Sequence, residues 1–167
     1  MLSKSMLTIL NEQIKNELYS EYFYLSMSTY CESIDFPGMA NFMQVKSQEE
    51  RSHGMKIYDY IHDRDGRVTL LAIPQPPSIF KSIIDMFTQV LKHEEEITKS
   101  IYNIYELATK ENDYATQVEM QWFIKEQVEE EKQARDIIQQ LKLIGDNESA
   151  LYMFDKEMGA TKFVPEV

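Results

Sequence analysis

Cysteine, glycine, proline, basic residues and long apolar runs are all scarce in this chain of 167 residues, and each scarcity closes off a class of protein. The lone cysteine, Cys31, cannot form an internal disulfide or build a Cys-rich zinc or iron–sulfur site, and it suits a reducing compartment. A cytoplasmic protein is therefore expected. Acidic residues outnumber basic ones 28 to 17, a formal charge of −11. That balance works against nucleic acid or an anionic membrane as partner and favours cations. Met1 to Leu10 is apolar only in short stretches before Asn11, Glu12 and Lys15, which predicts neither a secretory leader nor a spanning helix. With five glycines and five prolines, three of them at Pro74, Pro76 and Pro77, the rest is free to be helix. The length and 43 % hydrophobic content fit one water-soluble domain spanning residues 1–167.

What is present is a seam. Four long segments carry apolar residues at alternating spacings of three and four, the mark of helices packed along one stripe. The first is expected from about Ser5 to Ser33, ending where Asp35, Pro37 and Gly38 break it. The second runs from about Pro37 to Asp65, with Ala40, Met43, Ser47, Glu50, Gly54, Ile57 and Ile61 on its seam and Gly66 closing it. The third opens near Ser78 as N-cap and carries Ile83, Phe87, Val90, Glu94, Ile97, Ile101, Ile104 and Ala108. The fourth begins near Asp113 and follows Met120, Phe123, Gln127, Glu130, Ala134, Ile137 and Leu141 to Gly145. A shorter fifth helix is expected over about 147–158.

Segments of about 29 residues are roughly 43 Å long at ~1.5 Å per residue, so the bundle, about residues 5–145, is an elongated rod. Short joins near 34–37 and 110–113 predict two antiparallel hairpins. The long stretch from Gly66 to Pro77 is able to cross the bundle and set the second and third helices parallel. The fold class is all-α.

Near the middle of every seam the apolar pattern gives way: Glu17, Glu50, Glu94, and Gln127 with Glu130. A lone buried carboxylate costs several kcal/mol or surrenders its charge, so these residues need partners. Glu17 lies 33 residues before Glu50 and 36 before His53; Glu94 lies 33 before Gln127 and 36 before Glu130. The two hairpins repeat one spacing, which sets all these side chains at one height. Glu50-x-x-His53 and Gln127-x-x-Glu130 are i, i+3 pairs on single helix faces.

Oxygen-rich sites with one imidazole suit manganese or iron, whereas zinc usually draws on more His or Cys. Iron is expected. Glu50 is placed to bridge two ions, Glu17 and His53 to hold one, and Glu94, Glu130 and Gln127 to hold the other, on the pattern of di-iron carboxylate bundles.

Glu17, Tyr24, Glu49-Glu50-x-x-His53, Glu94, Trp122 and Glu126-Gln127-x-x-Glu129-Glu130, taken together, resemble the non-haem ferritins of bacteria and archaea over almost the whole chain. The resemblance implies a homo-oligomeric shell of 24 subunits, oxidation of Fe(II) by dioxygen or peroxide at the paired site, and a ferric mineral inside. It implies a third iron site from Glu49, Glu126, Glu129 and Glu130, and a redox-active tyrosine at Tyr24 with Trp122 as aromatic neighbour. Bacterioferritins place a haem-ligating methionine where this chain has Ser52, so no haem is expected. They also repeat E-x-x-H in the fourth helix, where Gln127-x-x-Glu130 leaves the second iron without a histidine and more weakly held.

Other readings compete. Tyr24 as plain core and Trp122 as packing are natural alternatives; His62 reads as a solvated helix end, and His93 lies off the seam. Glu111, Asp113 and Glu119 are candidates for steering cations inward. A di-iron or di-manganese peroxidase or catalase, and a non-catalytic shell subunit, are the rival functions. A rubrerythrin-like protein would need a cysteine-rich electron-transfer site, and a structural subunit should have lost some of the mid-seam ligands.

Overall fold

The computed structural model describes residues 1–164, so the last three residues of the expected domain lie outside it. Five helices occur among the described residues: α1 (Lys4–Ser33), α2 (Pro37–Asp63), α3 (Ile83–Glu111), α4 (Tyr114–Ile144) and α5 (Glu148–Met158). No described helix is long and apolar enough to cross a membrane.

Helix starts follow side-chain capping, each worth about 1 kcal/mol. Ser3, Ser82, Asp113 and Asn147 accept from the backbone N–H groups of Met6, Asp85, Thr116 and Ala150. The start of α3 differs from expectation: Ser82, not Ser78, is the cap. Asp85 decides this, because its carboxylate accepts from Lys81 N (3.0 Å) while Ser82 Oγ accepts from Asp85 N (3.1 Å). Three residues beyond Ser78 stands Lys81, which cannot reciprocate in that way. Residues 78–82 continue the crossover instead, with Phe80 buried against Tyr30.

The close of α2 also differs in detail. Asp65, not Gly66, takes the left-handed conformation (φ 61° at Asp35, 55° at Asp65). Gly66 is needed for a different reason: its N–H reaches back to Ile61 O at 2.8 Å, and a Cβ there would lie 2.9 Å from that oxygen.

Contacts at the ends give the topology. Ser3 at the start of α1 donates to Glu111 at the end of α3, and Cys31 at the end of α1 lies 3.7 Å from Met86 at the start of α3. These two helices are antiparallel. Because α1 and α2 are also antiparallel across their short join, α2 and α3 run parallel, as the long crossover requires. The crossover lies along α1. Thr69 N donates to Asn11 Oδ1 (2.6 Å) at one end, and Ser26 Oγ donates to Pro77 O (2.7 Å) at the other.

The core falls into two clusters. One gathers Tyr24, Met27, Met43, Phe87, Val90 and Ile137; the other gathers Leu10, Ile14, Ile57, Ile101, Met120 and Phe123. The polar mid-seam residues lie between them in sequence on all four helices. Helix α2 has no side-chain cap of its own, and α5 supplies one: the buried Asp155 carboxylate accepts from Gly38 N (3.1 Å) and Met39 N (2.8 Å). A Cβ on Gly38 would lie 1.7 Å from Asp155 O, so glycine is required for α5 to dock there.

Candidate metal centre

All six mid-seam residues are buried: Glu17, Glu50, His53, Glu94, Gln127 and Glu130 are each at most 6 % exposed. Among the described residues, Glu17, Glu50 and His53 form a group whose ligand atoms all lie within 4.8 Å of one another. Two hairpin helices build it, α1 providing Glu17 and α2 the i, i+3 pair. The three residues expected to hold the first ion are therefore brought together as a triad.

Its protons are arranged as oxygen-rich burial dictates. Desolvation and the Glu50 charge push the Glu17 carboxyl up to about 8, while Gln13 Nε2 donates to Glu17 Oε1 at 2.7 Å. Burial would depress His53, but the Glu50 carboxylate 3.7 Å from Nδ1 dominates and raises the imidazole to about 9. Burial likewise opposes ionisation of Glu50, and the neighbouring His53 and Lys46 overcome it and hold that carboxyl below its ordinary range. Trp122 lies edge-on to the His53 ring at 5.3 Å and also packs against the core cluster of Leu10, Ile14 and Ile57. Beside it a cavity of about 250 Å³, lined by Ser52, His53, Met55, Lys56, Asp59 and Trp122, reaches the imidazole from outside.

The second half-site is built differently. Burial and the charges of Glu50 and Glu130 push the Glu94 carboxyl well above its ordinary value. Tyr24 donates its hydroxyl to Glu94 Oε1, and Gln127 Nε2 donates to Glu94 Oε2 (3.2 Å), Glu94 O (3.1 Å) and Thr98 Oγ1 (3.2 Å). Tyr24 itself is 1 % exposed, and burial beside Glu94 raises its hydroxyl well above the usual phenol range. Glu130 is paired with the ammonium of Lys46. These carboxylates are thus engaged by protein donors rather than grouped as a ready triad.

Lys46, 3 % exposed, is the buried charge at this level that the seam reading missed. Its signal was in the spacing, since it stands four residues before Glu50 and three after Met43 on the same helix face. A lysine among buried carboxylates is favoured by the pairing it makes, with Glu49 at 2.7 Å as well as Glu130.

The remaining expected positions are not drawn into one cluster. Glu49 is half-buried and paired with Lys46, Glu126 is half-buried, and Glu129 is exposed at the rim of a surface cavity with Lys132 and Asp136. Of the steering candidates, Asp113 caps α4 and forms an ion pair with Arg64 at 3.0 Å. Glu111 accepts from Ser3 at 2.9 Å. His93 is half-buried, with Nε2 2.7 Å from Ser20 Oγ and its ring 4.6 Å from that of Phe23, and desolvation lowers its proton affinity. His62 lies exposed in the last turn of α2.

An antiparallel bundle with a long crossover and buried Glu, Glu and His side chains at mid-height belongs to the class of carboxylate-rich metal-binding bundles. Residues 7–144 match the family model of the ferritin-like domain, and the chain belongs to the ferritin family. It is 42 % identical over 166 residues to a bacterial non-heme ferritin of Staphylococcus haemolyticus, covering 99 % of this chain and all of that protein. A bacterial non-heme ferritin of Staphylococcus saprophyticus is likewise 42 % identical over 163 residues, 98 % of each chain. Among solved structures, an engineered closed form of Archaeoglobus fulgidus ferritin superposes with a TM-score of 0.97 at 44 % identity, covering 98 % of this chain and all of the other. The open-pore ferritin from the same archaeon gives 0.95 at 44 % identity, covering 97 % of this chain and all of that one.

Proposed function

We propose that this chain is an iron-storage subunit that oxidises Fe(II) at the mid-bundle layer and passes the ferric product to a mineral inside a shell of 24 identical subunits in the cytoplasm. Residues 1–167 act as one ferritin-like domain in this reading. The observation that carries it is the buried Glu17, Glu50 and His53 triad facing Glu94 and Glu130 in a member of the ferritin family. Iron is the substrate.

Glu17 and His53 hold the first Fe(II), Glu50 lies between the two halves as the bridging carboxylate, and Glu94, Glu130 and Gln127 hold the second. Each Fe(II) gives up one electron, and dioxygen or peroxide takes up the pair together with protons from solvent. Before either ion binds, the layer must shed the proton that burial keeps on Glu17 and the one that the Glu50 carboxylate keeps on His53. Tyr24 positions Glu94 by its hydrogen bond and is a buried phenol beside the layer that can supply an electron. The donor set is mostly oxygen with one imidazole, a hard to borderline arrangement that suits iron, and the second half has no imidazole to add to its carboxylates. The chain's acidic balance favours the approach of Fe(II) by steering.

The test is rapid mixing of the assembled apo-protein with two Fe(II) per chain in oxygenated buffer, following ferric absorbance beside Glu50→Ala. A fast signal that saturates near two irons per chain and is lost in the variant supports the ferroxidase. A parent signal no faster than iron autoxidation in buffer removes it.

A further inference from the structure

The layer contains a cation of its own. Lys46 Nζ sits 2.7 Å from Glu49 Oε2 and in contact with Glu130 Oε1, with a side chain only 4 % exposed. Metal–oxygen bonds of about 2.0–2.6 Å would require an ion in the space between these two carboxylates that the ammonium fills, so both cannot be there together.

We infer that Lys46 is a tethered counter-cation that takes the place of a third divalent ion beside the pair, limiting the layer to two. It is a positioning residue: it holds Glu130 and Glu49 together and leaves the other oxygens of the layer to the metals. The third site expected from Glu49, Glu126, Glu129 and Glu130 is in this account replaced by a covalently attached ammonium. Because the side chain reaches Glu130 from α2, it also ties the two hairpins together at the level of the site. The inference rests on the iron-site reading above.

The experiment is equilibrium dialysis of the assembled apo-protein against Fe(II) under argon, with bound iron counted per chain, in the parent, Lys46→Arg, Lys46→Gln and the double variant E49Q/K46Q. The parent and Lys46→Arg are expected to bind two tight ions. Lys46→Gln should bind one more, and the double variant should fall back to two because Glu49 no longer supplies a charge. A parent that already binds three, or a Lys46→Gln protein that assembles and still binds two, overturns the inference. If Lys46→Gln does not assemble, the parent count decides alone: two supports the inference and three overturns it. A parent that binds none overturns the iron-site reading itself, a result distinguishable from failure of the Lys46 inference.

Discussion

The two hairpins carry the same spacing yet end in different chemistry. In α1–α2, Glu17, Glu50 and His53 converge as a triad whose ligand atoms lie within 4.8 Å of one another. In α3–α4, the corresponding positions hold Glu94, Gln127 and Glu130, and each is engaged by a protein donor or acceptor: Tyr24, Thr98 or Lys46. Repeated geometry therefore sets where a ligand stands, and the identity of its neighbours sets whether it is free to bind. The first half gives up protons and one hydrogen bond from Gln13, while the second gives up the proton on Glu94 and its hydrogen bonds from Tyr24 and Gln127, with Lys46 staying on Glu130. The halves should fill in that order.

The largest expected effect erases the comparison. Glu50→Ala removes the carboxylate shared by both halves and should slow rapid oxidation by at least about 100-fold, more than the loss of a typical outer-shell partner. Stopped-flow absorbance checks this, and parent-like rates would sink the assignment of Glu50. Next in size is a split between halves. His53→Ala should weaken the first Fe(II) by about 10–100-fold, whereas Gln127→Ala, which leaves Glu94 and Glu130 in place, should change only the second by less than that. Anaerobic binding isotherms distinguish the two, and equal effects would mean the halves are equivalent.

Proton linkage sharpens the comparison further. The folded Glu17 carboxyl is raised to about 8 and the folded His53 to about 9, so the metal-free native state binds more protons than the unfolded chain at each site. Stability from both groups is present below their unfolded values and is lost as pH rises through the folded ones. Apo-protein should therefore melt at lower temperature at pH 8.5 than at pH 5.5, and anaerobic Fe(II) should release protons on binding. A pH-independent melt with no proton release would contradict the protonated triad. The smallest effect belongs to Tyr24→Phe, which removes one donor to Glu94 and should slow oxidation by about tenfold or less without changing the first binding step. An altered first isotherm would show that Tyr24 supports the wrong half.

Much of this was legible in the sequence, because helix periodicity and a fixed separation across a short turn are local properties. The four seams, the long crossover and the mid-height carboxylates all follow from spacing. Residues whose role depends on a distant partner did not. Lys46 looks like an ordinary surface lysine until Glu130 is placed opposite it, and Asp155 looks like a solvated helix residue until the start of α2 is found to lack a cap. The ion pair between Asp113 and Arg64 at the end of α2 was likewise not legible from either residue alone. The start of α3 was missed for a local reason: Ser78 and Ser82 are equally good caps by type, and only the reciprocal bond from Asp85 separates them.

The order of filling is tested most directly by diffraction from crystals given one Fe(II) per chain under argon, then two, with iron located by its anomalous scattering. The account predicts a first peak bounded by Glu17, Glu50 and His53 and a second beside Glu94 and Glu130. A first peak on the Glu94 and Glu130 side, or iron confined to surface carboxylates, would contradict it.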